Sequence, residues 1–193
     1  MVLTMLIGTV LRSRIAARSR VIIDRISPFI RNSESIVDIG SGTGGVAAIL
    51  QDMGKMVTPV DVADFHGLRL LNPVIYNGRN LPFSNGSFDT ALLLMVMHHT
   101  PDPNGVFLEA SRVAKEIVVI ETSYTGFLNK LLTVLVDAAG NLTHKIYWSS
   151  YKTDESWRKF FSSFGFAVVA SEKFPDKNLG LPFLHVSYYL RRL

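Results

Sequence analysis

Residues Ile36 to Gly45 read Ile-Val-Asp-Ile-Gly-Ser-Gly-Thr-Gly-Gly: an apolar run closed by an acid, a glycine-rich turn and the start of a helix. Few backbones accept such a string. The apolar run predicts a buried strand. Glycines at 40, 42 and 44 lack a Cβ, so the chain can turn sharply and lie against a ligand. The helix that follows points its free N–H groups at whatever is bound. Gly40, Gly42 and Gly45 also satisfy the dinucleotide fingerprint G-x-G-x-x-G. Asp38 favours another ligand. A carboxylate two residues before the first glycine is a poor neighbour for a pyrophosphate and a good one for an amino-acid-like ammonium.

Strands and helices alternate around this segment. Ile36 to Ile39, Met56 to Val60, Val74 to Asn77, Asp89 to Met95 and Glu116 to Glu121 read as five strands. Helices are expected over Gly44 to Asp52 and Pro103 to Lys115, with a short helical piece around Ala63 to Leu70. Near-continuous apolar strands separated by helices imply an α/β, doubly wound, mostly parallel sheet covered on both faces. Pro59 belongs at a strand end, because it removes a ladder donor. Further on, Phe127 to Ala139 is an apolar helix candidate with Leu128, Leu131, Leu132 and Leu135. An aromatic loop from Tyr147 to Tyr151 follows. Thr153 then caps a helix striped by Trp157, Phe160, Phe161 and Phe164. Ala167 to Phe174 and His185 to Leu190 are spaced as a last strand pair.

The 193 residues are most simply one domain. Residues 1–33 form a helical cap, 34–121 a cofactor-binding core, and 122–193 a lid, substrate region and last strand pair. With 48% hydrophobic and 19% charged residues the chain is not disordered. There is no cysteine, which excludes disulfides, thiolate metal sites and cysteine nucleophiles. The histidines His66, His144 and His185 are scattered, so no metal-ligand spacing is visible and no metal is expected.

The net charge of +4 is concentrated in residues 1–31, which hold Arg12, Arg14, Arg18, Arg20, Arg25 and Arg31 against Asp24 alone. No nucleic-acid partner is implied. The apolar stretch from Met1 to Leu11 is too short to span a bilayer and its basic residues follow it, so a signal peptide or anchor is not expected. The acid-poor start has also the composition of a transit peptide. A cytoplasmic protein is the expectation, its first helix striped by Leu11, Ile15, Ile22 and Ile26 for packing. The same helix could also cover the cleft or touch a protein or an anionic membrane surface.

In an open parallel sheet, ligands bind outside the carboxyl ends of the strands, where the strand order reverses. The first end offers Asp38, Ile39 and the loop of Gly40, Ser41, Gly42 and Gly44. The second offers Asp61, about twenty residues on, where a carboxylate can accept two ribose hydroxyls, followed by Val62. The third offers Asn77 and Gly78, an amide for an adenine edge beside a small residue. The fourth offers Leu94, Met95, Met97, His98 and His99. S-adenosylmethionine suits this set: it has an ammonium, a sulfonium and no phosphate.

Gly40-Ser-Gly-Thr-Gly44, Asp61, Leu81-Pro82-Phe83, Ser87-Phe88-Asp89, Met97-His98-His99 and Asp102-Pro103, in this order, resemble the class I S-adenosylmethionine-dependent methyltransferases. The nearest likeness is the small-molecule, quinone-biosynthesis-like branch (type 11), over roughly residues 34–121. The resemblance implies a Rossmann-like sheet of seven strands with the last antiparallel, and cofactor at the edge between the first and fourth. It implies that Asp38 holds the methionine ammonium and Asp61 the ribose. Gly40 and Gly42 would let the backbone approach, and Leu94 and Met95 would line the methionine arm. Two positions depart from the pattern. Asn77 stands where an Asp-Ala pair is usual, and Glu116 follows Lys115 without the usual Pro-Gly-Gly.

Sulfonium is already an activated leaving group, so alignment of donor and acceptor supplies much of the rate. His98 and His99, beside the expected methyl position, are the catalytic candidates wherever the acceptor must lose a proton; their bland reading is pocket-shaping. Glu121 and Tyr124 are weaker candidates. The aromatic lid suggests a small, partly hydrophobic acceptor. The competing functions are a catalytically silent S-adenosylmethionine-binding module and a nicotinamide-dependent oxidoreductase.

Overall fold

In this computed structural model, residues 2–63, 71–140, 146–178 and 181–193 are described, with side chains given for 12–63, 71–139, 146–175 and 183–193. The first strand, β1 (Ser35–Ile39), shows how the sheet is built. Val37 and Ile39 enter one apolar cluster and Ile36 the other. Because side chains alternate along a strand, Asp38 shares the face of Ile36. That face is covered by α1 (Val2–Ile26) and α2 (Gly45–Asp52). The same alternation splits Leu92 from Leu93 in β4 (Phe88–Leu94) and Val118 from Val119 in β5 (Ala114–Ser123).

The second cluster packs under α3 (Pro103–Val113) and α5 (Asp154–Ser163), around Phe107, Trp157 and Phe161. The rings of Phe160, Phe161, Phe164 and Phe166 lie 5.3–5.5 Å from that of Phe107. Thr153 caps α5 through Ser156 N–H, and Asp102 caps α3 through Gly105 N–H, with Pro103 in its first turn.

The seven strands run in the order β3-β2-β1-β4-β5-β7-β6. Strands β1, β2 (Met56–Asp61), β3 (Val74–Ile75), β4 and β5 pair parallel, and β7 (Leu181–Arg192) runs antiparallel between β5 and β6 (Phe166–Asn178). The order reverses between β1 and β4, which opens a crevice at their carboxyl ends. Pro59 lies inside β2, not at its tip. The Val60 carbonyl faces β1, where it accepts from Gly40 N–H, so Pro59 faces β3, which pairs only with Val60 and Asp61. The missing donor therefore has no ladder to break.

Other expectations need correction. The third strand shrinks to Val74–Ile75. The third helix ends at Val113 and β5 begins at once with Ala114, so Lys115 is strand. Arg112 fixes that abrupt end: its guanidinium donates to the carbonyls of Leu81 and Phe83 and pairs with Glu109. The final strand pair is longer than expected on both sides.

In α4 (Gly126–Gly140) the leucine stripe faces outward: Leu128, Leu132 and Leu135 are exposed, whereas Val134, Val136 and Asp137 are buried. Both sides of this helix carry apolar residues, so periodicity alone could not choose the inner one. The piece expected at Ala63 to Leu70 falls almost wholly outside the described residues. Among the described residues, no helix is long and apolar enough to cross a membrane.

The first helix packs as its stripe implies, with Ile22, Ile23 and Ile26 buried. Its arginines divide. Arg25 pairs with Glu172 and stacks on Phe174, and Arg18 donates to Met95 Sδ, while Arg12, Arg14 and Arg20 are exposed. Its close approach to α2 depends on Gly45, where a Cβ would lie 2.4 Å from Ser19 Oγ and 2.8 Å from Ile15 Cγ2. Gly45→Val is therefore expected to lower stability by about 1–3 kcal/mol, read by urea unfolding, as overpacking does. An unchanged midpoint would show that α1 does not dock there.

Candidate active site

The glycine loop takes its shape from β2. Gly40 and Ser41 N–H both donate to Val60 O, at 2.8 and 3.1 Å. Gly42 N–H donates to Asp61 Oδ2 at 2.8 Å, and Val62 N–H to Asp61 Oδ1 at 2.7 Å. Gly40, Gly42 and Gly44 all have positive φ, and a Cβ on Gly40 would sit 2.6 Å from Val96 Cγ2. Gly40 is thus required twice, by conformation and by space. Met95, at the end of β4, holds φ 60 without being glycine. Such strain collects at functional sites.

A cavity of about 310 Å³ opens in the crevice. Asp38, Gly40, Ser41, Gly42, Leu94 and Met95 line this cavity, as do His98, His99 and Asp137. Its cover is α1, through Ile15, Arg18, Ser19 and Ile22. Two features of this lining call for a ligand. Burial, reinforced by the charge of Asp61, pushes the Asp38 carboxyl up to about 7, and among the described residues no cation offsets that shift. Among the described residues, buried Ser41 Oγ has no hydrogen-bond partner.

The histidines belong to a polar network. His98 Nδ1 donates to Glu121 Oε2 at 2.5 Å, while Glu121 Oε1 accepts from Met97 N–H at 2.7 Å. His98 and Glu121 are both fully buried. Burial opposes the imidazolium, but Glu121 and then Asp137 outweigh it and raise the His98 pKa. His98 Nε2 and His99 Nε2 lie 3.9 and 3.5 Å from Asp137 Oδ2, to which the Tyr151 hydroxyl also donates.

Not every expected residue reaches the cavity. Ile39 belongs to the opposite core, and Gly44 caps α2 behind the loop. Asp61 is buried against the loop backbone, Val62 is exposed, and Asn77 Oδ1 accepts from Arg79 and Asn80 N–H beside Gly78. These positions cluster at the ends of β2 and β3. Glu121 lies within β5 and meets the site through His98 and Met97 N–H. His185 is not scattered: it lines the cavity and its Nδ1 meets Thr122 Oγ1 at 3.2 Å. His66 and His144 lie outside the described residues. Asp137 gave no signal in the sequence and Tyr151 only that of an aromatic loop, because their partners are supplied by distant elements.

Residues 11–171 match the family model described as a methyltransferase domain. The chain belongs to that family. Solved structures agree on the fold of the methyltransferase. An S-adenosylmethionine-dependent methyltransferase from Methanosarcina mazei is 18% identical, with a TM-score of 0.66, over 87% of this chain and 96% of that one. Geranyl diphosphate C-methyltransferase from Streptomyces coelicolor, solved with Mg2+, geranyl diphosphate and S-adenosylhomocysteine, is 16% identical. Its TM-score is 0.67, over 92% of this chain and 79% of that one. No curated protein matches the sequence significantly.

Within the methyltransferase, two of the motif segments are structural. Leu81 N–H donates to Glu109, and Asp89 gathers Ser35 N–H, Ser35 Oγ and Lys115 Nζ at the base of the sheet.

Proposed function

We propose that this methyltransferase binds S-adenosylmethionine in the β1–β4 crevice and transfers its methyl group to a small, partly hydrophobic acceptor. The observation that carries the reading is the buried Asp38 carboxylate beside the glycine loop. Its raised pKa is what an acid poised for a cationic ligand shows in that ligand's absence. The cofactor, when bound, supplies a methyl group on a positively charged sulfur, ready to leave.

The chain's own residues do the rest. Asp38 holds the ammonium, and Ser41 Oγ accommodates the methionine end. Leu94 and Met95 line that arm and exclude water from it. Asp61 takes the ribose hydroxyls with the lone pairs that Gly42 and Val62 N–H leave open, and Asn77 and Gly78 flank the adenine. His98, fixed in orientation by Glu121, and His99, beside Asp137, meet the acceptor's nucleophilic atom. Phe183 and Ile15 add apolar wall at the same cavity, which supports a partly hydrophobic acceptor. The Streptomyces neighbour, with its geranyl chain, supports the same class.

Titration calorimetry with S-adenosylhomocysteine and with NAD tests the reading. Affinity for S-adenosylhomocysteine is the expected result, and affinity for NAD alone overturns it. Asp61→Ala should weaken S-adenosylhomocysteine binding by about 1–3 kcal/mol through lost charge-assisted hydrogen bonds. An unchanged affinity would remove Asp61 from the site.

A further inference from the structure

His98 and His99 are consecutive in the short 3-10 helix Met97–His99, and Asp137 reaches them from α4. One ligand atom from each of the three lies within 4.8 Å of the others. The Asp137 Oδ2 to His99 Nε2 and His98 Nε2 separations are 3.5 and 3.9 Å. Donor atoms about 2.0–2.2 Å from a tetrahedral ion stand about 3.3–3.6 Å from one another. The two separations from Asp137 lie within a few tenths of an ångström of that range, and all three donor atoms lie within 4.8 Å of one another.

The surroundings are those that orient metal ligands. His98 Nδ1 meets Glu121 at 2.5 Å, which orients the ring so that Nε2 faces Asp137. The Tyr151 hydroxyl donates to Asp137 Oδ2, which holds that carboxylate in place. All three residues line the cavity that receives the acceptor, so further coordination positions would open into it.

Resting on the functional reading above, we propose that His98 Nε2, His99 Nε2 and Asp137 Oδ2 form a divalent transition-metal site at the acceptor end of the cavity, its open positions taking an oxygen of the acceptor. Two imidazoles and one carboxylate suit zinc or its borderline neighbours and do not suit magnesium or calcium. Three protein ligands with an open position are the pattern of a reactive site, not a purely structural one. The acceptor class then narrows to molecules with a hydroxyl, carbonyl or carboxylate oxygen near the methylated atom. Because Asp137 rides on α4, metal would also tie that helix to the end of β4.

The test uses tag-free, chelator-stripped full-length protein. Titration with Zn2+ is expected to give one saturable site of micromolar affinity or tighter, and Co2+ should show visible bands of four- or five-coordinate geometry. Excess Mg2+ should not compete. Asp137→Asn and His99→Gln are each expected to weaken Zn2+ binding at least tenfold, with a Zn2+-dependent rise in melting temperature that the variants lose. Absence of one-to-one uptake, or equal uptake by both variants, overturns the proposal in favour of a metal-free hydrogen-bond network. S-adenosylhomocysteine binding is measured on the same samples. If it is retained while Zn2+ fails to bind, only the metal site falls; if it is absent, the methyl-transfer reading falls independently.

Discussion

Asp38→Asn is expected to raise stability and to lower cofactor affinity at the same time. In the folded chain, burial and then the charge of Asp61 push the carboxyl group up from the ordinary 3.8 to about 7. Between those two values the folded state retains a proton that the unfolded state releases. Stability is therefore lost as pH rises through that window, and the full penalty stands above pH 7. Removing the charge should recover up to about 4 kcal/mol at pH 8 and much less near pH 4. Urea unfolding of both proteins at the two pH values measures this, and equal differences at both would sink the assignment. Binding runs the other way. The ionised carboxylate is the form that holds an ammonium, so the wild type should bind S-adenosylhomocysteine more tightly as pH rises, by up to about tenfold per unit below 7. The asparagine variant should bind weakly at every pH. A pH-independent wild-type affinity would mean that Asp38 does not meet the ammonium.

Glu121→Ala carries the largest expected loss of stability. The carboxylate is fully buried and satisfies two donors, His98 Nδ1 and Met97 N–H. Truncation leaves both donors buried without a partner and opens a void beneath the 3-10 helix. Breaking a buried charge-assisted pair costs about 3–5 kcal/mol. Glu121→Gln keeps the shape and one acceptor for Met97 N–H, so a smaller loss is expected. Chemical denaturation of the two variants separates the effects. Equal small losses would show that the network contributes little.

Much of the frame was legible in the chain. Strands β1, β2 and β4 announce themselves as apolar runs, and the Gly40 to Gly45 turn can form only where glycine conformations are allowed. Thr153, Gly165 and the Trp157, Phe161 stripe mark α5 by local rules alone. The abrupt start of β5 was not legible, because a guanidinium bound to a loop two elements away fixes it. The outward leucines of α4 were not legible either, since both helix sides are apolar and only the neighbours decide which is buried.

Sequence by itself determined the sheet, the glycine turn and the acid ahead of it, because strand period, φ restrictions and charge are properties of adjacent residues. Only the tertiary structure decided which side chains meet in the polar network of the cavity. His98 and His99 are neighbours in the chain, but Glu121, Asp137 and Tyr151 come from a strand, a helix and a loop whose packing fixes their separations. Hydrogen-bond and ligand geometry depends on tenths of an ångström between such elements, and no local pattern along the chain encodes that.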